Sequence, residues 1–270
     1  MPEPVRLMLA ADRNVLRWVP TVLNSVRHST PGALEVVLVV DAVREEDERE
    51  LRRVLPRLDI RLMPIDGGRV RGLGTLAHIS TISYARLLMP EMVDWPRFVY
   101  LDVDVVVERD LGELQATDLA GAHYAGVHYA GELNAGVLVI DAERWRREGL
   151  ATRTLAWAAE TRPKMMEQAA IAHVLGDSVR ELDERWNCIV DPLWGRVRMR
   201  NTAGVEPYIT HYITCFKPWN RGRWLMPRAV RERWDRYRVP NRLPRNRLHD
   251  LKILAVQARL VARHGRLLLK

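Results

Sequence analysis

The stretch Phe98-Val99-Tyr100-Leu101-Asp102-Val103-Asp104-Val105-Val106-Val107 decides how the rest of the chain is read. It begins as the apolar run of a buried strand, is interrupted by two carboxylates, and then resumes as apolar sequence. A carboxylate inside a core is costly unless something pairs with it. Asp102 and Asp104 are two apart, so an extended backbone turns their side chains the same way. Two oxygens converging at a strand end suit a divalent cation, and that cation can hold a diphosphate. The plain alternative is a pair of solvated aspartates closing a core strand, and Asp-x-Asp alone does not decide between the two.

Upstream, strand and helix patterns alternate. Val5-Arg6-Leu7-Met8-Leu9-Ala10-Ala11 reads as a first strand, broken by Asp12-Arg13-Asn14, which caps a helix from Val15 to His28. Leu34 to Val40 is a near-continuous β-branched run, as in a strand covered on both faces, and Asp41 follows it. A charged periodic helix from Glu45 to Leu55, a strand from Ile60 to Ile65, and a helix from Thr75 to Met89 with Pro90 near its end come next. This alternation predicts an α/β fold with a mostly parallel central sheet. Ligands in such sheets lie outside the carboxyl ends of the strands, where Ala11-Asp12, Asp41 and Asp102 to Asp104 all fall.

Beyond Asp110 the pattern is less regular. A short helix or loop is expected at Glu113–Leu119, helices at Ala142–Glu148, Thr152–Glu160 and Lys164–Leu175, and strands at Ala122–His128, Val137–Ile140 and Ile209–Tyr212. Asp183–Val190 and Gly195–Met199 read as strand and loop material. From Leu248 the chain becomes an amphipathic helix. Leu248, Leu251, Ala255, Ala258 and Ala262 recur at 3-and-4 spacing, widened by Leu254 and Val261, beside a basic face of Lys252, Arg259, Arg263, Arg266 and Lys270. That composition suits residues 241–270 to an anionic membrane surface. A terminal helix packed on its own domain is the alternative.

The chain has 270 residues, a net charge of +8 and 47% hydrophobic residues, ample for a sizeable core. The positive charge is concentrated, because Lys217 to Lys270 holds 16 Lys and Arg against Glu232, Asp235 and Asp250. A uniformly basic nucleic-acid-binding domain does not look like this, and no nucleic-acid partner is expected. With only Cys188 and Cys215 there is no disulfide framework and no Cys-rich zinc site. No apolar run approaches the roughly 18–20 residues of a membrane span. The N-terminal residues lack the pattern of a signal peptide, so the expected location is cytoplasmic.

His211 stands six residues before Lys217 in His211-Tyr212-Ile213-Thr214-Cys215-Phe216-Lys217-Pro218-Trp219. Neutral imidazole ligates borderline cations such as manganese, and a nearby lysine neutralises phosphate charge. Alone, such a histidine is more often a packed or surface residue. Asn134-Ala135-Gly136 places an amide and a permissive turn before a strand, suited to hydrogen-bonding a sugar hydroxyl. Glu167-Gln168 sits in a helical segment whose polar side chains face either a cleft or solvent.

Together these motifs resemble glycosyltransferase family 8, the family of glycogenin and the bacterial lipopolysaccharide galactosyl- and glucosyltransferases. The matches run in the family's order over about residues 5 to 225. They begin with Ala10-Ala11-Asp12-Arg13-Asn14, continue through His78-Ile79-Ser80-Thr81-Ile82-Ser83-Tyr84-Ala85-Arg86-Leu87 and Tyr100-Leu101-Asp102-Val103-Asp104, and reach Asn134-Ala135-Gly136-Val137-Leu138-Val139-Ile140 with Trp145-Arg146. Glu167-Gln168 and then His211-Tyr212 with Lys217-Pro218-Trp219 complete the set. Each motif is weak by itself, and the ordered set is specific.

The resemblance implies a nucleotide-sugar-binding fold of GT-A type over residues 1–225, with 226–270 a basic helical tail like the peripheral-membrane tail of the bacterial enzymes. It implies a retaining, metal-dependent transfer of a hexose, galactose or glucose, from a UDP-sugar to a hydroxyl of a glycan or lipid-linked acceptor. Carried over position by position, Asp102, Asp104 and His211 ligate Mn²⁺, with Mg²⁺ as the substitute, and the metal bridges the donor phosphates. Ala11, Asp12 and Asn14 contact uracil and ribose, and Val103 belongs to the same donor site. Arg86 lies near the donor sugar, Asn134, Glu167 and Gln168 face the sugar and the reacting centre, and Lys217 meets the diphosphate. Gln168, Asp104 and Arg86 form the expected catalytic set. Gln168 is a neutral amide and no strong nucleophile stands out, which favours front-face transfer with a diphosphate oxygen accepting the acceptor's proton.

The chain departs from the family pattern in three places. Glu167 stands where aspartate is usual and reaches one methylene further into the donor pocket. The glycine usual after the His-Tyr/Phe pair is missing, so a side chain there either crowds the phosphates or, as Thr214, hydrogen-bonds them. The loop between Asp110 and Asn134 is short, so the acceptor of the bacterial galactosyltransferases does not carry over. A catalytically degenerate nucleotide-sugar-binding or membrane-associated scaffold is the alternative reading.

Overall fold

The structure, a computed structural model, describes residues 3–74, 81–163, 166–191 and 206–268. The chain opens with β1 (Val5–Ala11), a 3₁₀ turn at Leu16–Trp18 and α1 (Val19–Ser29). The helix expected from Val15 therefore starts later. The Asp12 carboxylate accepts the N–H groups of Asn14 at 2.8 Å and Val15 at 3.2 Å, which stabilises a tight turn after β1 instead. β2 (Leu34–Val40), α2 (Glu45–Val54) and β3 (Ile60–Pro64) follow. In α2, Glu45 to Glu48 fill the first turn and Arg52 and Arg53 the last, each sign at the end of the helix dipole that favours it.

After the single turn α3 (Gly67–Val70), the helix expected from Thr75 is described only from Thr81, because residues 75–80 lie outside the described residues. A 3₁₀ turn at Thr81–Tyr84 leads into α4 (Ala85–Met92), which carries Pro90 inside it. β4 (Arg97–Leu101), β5 (Val105–Val107) and α5 (Leu111–Gln115) come next. β6 (Tyr124–Tyr129) and β7 (Glu132–Asp141) form a hairpin over Ala130 and Gly131, both at positive φ, as a two-residue hairpin turn requires. α6 (Ala142–Arg147), α7 (Leu150–Thr161) and α8 (Met166–Leu175) precede β8 (Val179–Glu181). A 3₁₀ turn at Glu184–Asn187 then runs into β9 (Cys188–Val190). The segment Gly195–Met199 lies outside the described residues. β10 (Ile209–Tyr212), a 3₁₀ turn at Arg221–Leu225, α9 (Arg228–Tyr237) and α10 (Arg247–Leu268) complete the chain.

Seven strands form the main sheet in the order β3-β2-β1-β4-β7-β6-β8. The pairings β3–β2, β2–β1, β1–β4 and β6–β8 are parallel, and only β4–β7 and β7–β6 are antiparallel, so the sheet is mostly parallel. The strand order reverses at β1 and β4, and their carboxyl ends open into one crevice. Along β1 the residues alternate between two cores, Leu7 and Leu9 facing α1 and α2, Met8 and Ala10 facing α4 and α6–α8. A second sheet, β5-β10-β9, joins segments far apart in sequence, with β10 antiparallel to β5 and parallel to β9. It is tied to α1 where the Val107 N–H donates to Ser25 Oγ at 3.0 Å.

The C-terminal elements pack back on the core. Trp234 of α9 is buried 4.8 Å from Trp219, which stacks on Trp18 at 4.8 Å. Ile253, Val256, Leu260 and Val261 of α10 pack against this core, and buried Gln257 donates to the Cys215 carbonyl at 2.9 Å. The stripe Leu248, Leu251, Ala255, Ala258 and Ala262 is exposed instead of packed inward. Among the described residues no helix is long and apolar enough to cross a membrane.

Candidate active site

The chain leaves the main sheet at Leu101 and enters the second sheet at Val105, and the crossing is a turn made by Asp102, Val103 and Asp104. The expectation of an extended backbone here is corrected, since the turn rather than a two-residue pleat brings the carboxylates together. β10 pairs with β5 so that His211 stands opposite Val105, next to Asp104. One ligand atom from each of Asp102, Asp104 and His211 lies within 4.8 Å of the others. His211 Nε2 is 3.2 Å from Asp104 Oδ1 and 3.8 Å from Asp102 Oδ2. Asp104 Oδ1 is buried with no hydrogen-bond partner among the described residues, an arrangement that a cation completes. Gly136 makes the assembly sterically feasible, because a Cβ there would sit 2.2 Å from His211 Cε1 and 2.8 Å from Asp102 Oδ2.

The surrounding charges are paired in a fixed pattern. Tyr100 donates its hydroxyl to Asp102 Oδ1 at 2.6 Å, and Arg86 Nη2 donates to the same oxygen at 2.8 Å. Arg86 also donates to the carbonyls of Ala135 and Ser83, stands 3.4 Å from Glu167, and lies over the Tyr100 ring at 4.6 Å. Burial works against the Arg86 charge, but Asp102, Tyr100 and Glu167 outweigh it and raise its pKa. Burial likewise pushes the Tyr100 phenol well up, so it stays a donor to Asp102. At Asp104 burial favours the neutral form, yet the Lys217 charge prevails and holds the carboxyl well below the ordinary range. Lys217 Nζ contacts both Asp104 Oδ2 and the Tyr212 carbonyl.

Asp12, Asn14, Arg86, Asp102, Val103, Asp104, Asn134, Glu167, Gln168, His211, Thr214 and Lys217 line one cleft of about 1430 Å³. Ala11 packs in the core, and Ala10 is the residue of that pair that lines the cleft. Asn14 is held between Asp12, to which its amide donates at 2.8 Å, and Asn246, which donates to it at 2.8 Å. Gln168 Oε1 accepts the Ala135 N–H at 3.1 Å. The Glu167 carboxylate is buried, accepts from Ser83 Oγ at 3.0 Å and faces Arg86, so its extra length reaches an ion pair. Thr214 has φ +68°, the left-handed region that glycine adopts without strain.

Three contributors escaped the sequence reading. Tyr100 was detectable, being two residues before Asp102 in the strand. Asn187, within hydrogen-bond distance of His211 Nδ1 at 2.9 Å, carried no local signal. The wall that α10 and the residues before it build, including Arg245, Asn246, His249 and Leu254, was hidden because the segment reads as a tail.

The family model for glycosyl transferase family 8 matches residues 6–222. The chain belongs to this family. Glycosyltransferase GlyF of Streptococcus pneumoniae is 28% identical over 244 residues, covering 86% of this chain and 61% of GlyF. General stress protein A of Bacillus subtilis is 24% identical over 253 residues, covering 81% of this chain and 88% of that protein. The chain thus spans about six-tenths of GlyF and nearly all of the Bacillus protein. The galactosyltransferase LgtC, solved in complex with donor and acceptor sugar analogs, superposes with a TM-score of 0.73 at 22% identity over 86% of this chain and 95% of LgtC. Streptococcus pneumoniae GlyE gives 0.69 at 21% identity, over 96% of this chain and 64% of GlyE. The fold of this family member is of GT-A type.

Proposed function

We propose that the chain is a retaining, metal-dependent hexosyltransferase that moves galactose or glucose from a UDP-sugar to a hydroxyl of a glycan or lipid-linked acceptor. The observation that carries this reading is the Asp102–Asp104–His211 cluster, with a buried, unpartnered carboxylate oxygen, opening on a cleft of about 1430 Å³. Such a cleft exceeds the roughly 300–1,000 Å³ of a single small-molecule site and has room for donor and acceptor together. Asp102, Asp104 and His211 would hold Mn²⁺, or Mg²⁺ in its place. When bound, that ion supplies Lewis-acid stabilisation of the departing diphosphate.

The chain's own residues do the rest. Lys217 adds a fixed positive charge beside Asp104, where the leaving group gathers negative charge. Asp12 and Asn14 line the cleft just past the carboxyl end of β1 and would contact ribose and uracil. Asn134 and Gln168 each use the side-chain oxygen on a backbone N–H, so each offers its NH₂ group to sugar or phosphate oxygens. Thr214 lines the same cleft and would hydrogen-bond the diphosphate. Glu167 is engaged by Arg86 and Ser83, and Asp104 by Lys217, so neither is poised as a nucleophile. The acceptor hydroxyl therefore attacks the sugar's anomeric carbon from the leaving-group side and passes its proton to a diphosphate oxygen. The bond to the diphosphate breaks as the new glycosidic bond forms.

Residues 1–225 carry this chemistry in our reading. The 226–270 segment adds a wall to the cleft and presents exposed Leu248, Leu251, Lys252 and Arg259 to an anionic cytoplasmic membrane face. A panel of UDP-sugars read by UDP release, with and without Mn²⁺, tests the proposal. Release with UDP-galactose or UDP-glucose, lost in Asp102→Ala and Asp104→Ala, is the expected outcome. Metal-independent release that survives both substitutions would overturn it.

A further inference from the structure

Asn187 ends the 3₁₀ turn before β9 and is fully buried. Its Nδ2 donates to Asn134 Oδ1 at 2.9 Å, and its Oδ1 lies 2.9 Å from His211 Nδ1. The two ends of an asparagine amide are ordinarily hard to tell apart. Here the orientation is forced from the other end of the network. The Gly136 N–H, a backbone group that can only donate, points at Asn134 Oδ1 at 3.1 Å. Asn134 therefore shows its oxygen to Asn187, Asn187 answers with its NH₂, and the Asn187 oxygen is left facing His211. An amide oxygen only accepts, so His211 Nδ1 carries a proton. In the neutral imidazole Nε2 is then the lone-pair nitrogen, and Nε2 is the atom 3.2 Å from Asp104 Oδ1.

We infer that Asn187 is a positioning residue for the metal site, fixing the tautomer and ring orientation of His211 through a relay that starts at the Gly136 backbone. Two acceptors, His211 Nε2 and Asp104 Oδ1, then face each other, which is the electrostatic condition for holding a cation between them. The relay also couples the two halves of the site. Asn134, whose oxygen it occupies, lines the cleft and keeps only its NH₂ for a ligand. Asn187 thus orients the metal ligand and shares the oxygen of a cleft-facing amide, without lining the cleft itself. This inference rests on the metal reading of Asp102, Asp104 and His211.

Nitrogen NMR of isotope-labelled histidine in the metal-free, full-length protein reads which ring nitrogen carries the proton, without turnover. The expected spectrum has a protonated Nδ1 and a bare Nε2 for His211, and a bare Nδ1 would overturn the inference. Calorimetric titration with Mn²⁺ alone then compares two variants. Asn187→Leu keeps the volume and loses the acceptor, and should weaken Mn²⁺ binding by about 10–100-fold. Asn187→Asp keeps an oxygen for the Nδ1 proton and should retain most of the affinity. Wild-type affinity in Asn187→Leu, or an equal loss in both variants, would overturn the positioning role. Failure of the metal reading itself would show separately, as wild-type protein that does not bind Mn²⁺ while His211 keeps the stated tautomer.

Discussion

Gly136→Ala tests the construction of the site with one methyl group. Gly136 is not at positive φ, so the backbone admits alanine and the effect comes from the side chain alone. The added Cβ would lie 2.2 Å from His211 Cε1, 2.9 Å from His211 Nδ1 and 2.8 Å from Asp102 Oδ2, where ordinary contact begins at 3.4 Å. Something must therefore yield by about 1.2 Å, the shortfall at Cε1. No neighbour moves easily. The ring is held by Asn187, Asp102 by Tyr100 and Arg86, and the Gly136 carbonyl by the Asp102 N–H at 2.8 Å. Overpacking of this kind costs about 1–3 kcal/mol, which lowers the melting midpoint by roughly 2–4 °C per kcal/mol in a chain of this size. A displacement of about 1 Å in a reacting constellation costs on the order of 100-fold in rate. The expected variant is folded, melts several degrees lower, and loses about two orders of magnitude in metal-dependent UDP release, with weakened Mn²⁺ binding. Thermal melts, calorimetry and UDP release on the same preparation check this. A variant with wild-type Mn²⁺ affinity and wild-type release would refute the arrangement of His211, Asp102 and Gly136 described above.

Thr214→Gly places the unstrained residue at φ +68° and should hold or raise the melting midpoint; a clear drop would contradict the assigned strain. The Asp104 pKa is depressed by the Lys217 charge, so its contribution to stability is complete above the unfolded value of about 3.9 and is lost as pH falls below it. Urea midpoints of metal-free wild type and Asp104→Asn should therefore differ most near neutral pH and converge below the ordinary carboxylate range, and a difference independent of pH would contradict the sign. Asn246→Ala removes the bond to Asn14 at the nucleotide end of the cleft and should weaken UDP binding several-fold, by about 1 kcal/mol; unchanged affinity would remove that segment from the donor site. Combining Leu248→Ser with Lys252→Glu and Arg259→Glu should reduce flotation with anionic liposomes while leaving UDP affinity intact, and equal flotation would dispose of the membrane-facing role.

The legible parts of this protein are those with local periodicity. β1, β2 and β4 are announced by apolar runs ended by polar residues, and the crevice at their carboxyl ends follows from the parallel order. The site residues fall on short motifs because each motif marks a place where a core strand admits a polar group. The second sheet was not legible as a unit, since β5 and β9 are three residues each and β10 is four, and their pairing is entirely long-range. Asn187 was invisible for the same reason, because its meaning depends on β9 lying beside β10. The start of α1 was misplaced because Asp12 caps a turn as readily as a helix. In α10 the spacing of Leu248, Leu251 and the alanines is sound helical periodicity, but Ile253, Val256 and Leu260 give an equally good stripe, and only packing decides which one faces the core.

In the proposed site Asp102, Asp104 and His211 hold a metal ion that in turn holds a nucleoside diphosphate. Calorimetric titration of UDP into wild type and His211→Ala, each with and without Mn²⁺, addresses it most directly. Mn²⁺ should strengthen UDP binding to wild type by at least about tenfold, or 1.4 kcal/mol, and have no effect on UDP binding to His211→Ala. Equal UDP affinity with and without Mn²⁺ in wild type, or the same Mn²⁺ response in both proteins, would contradict it.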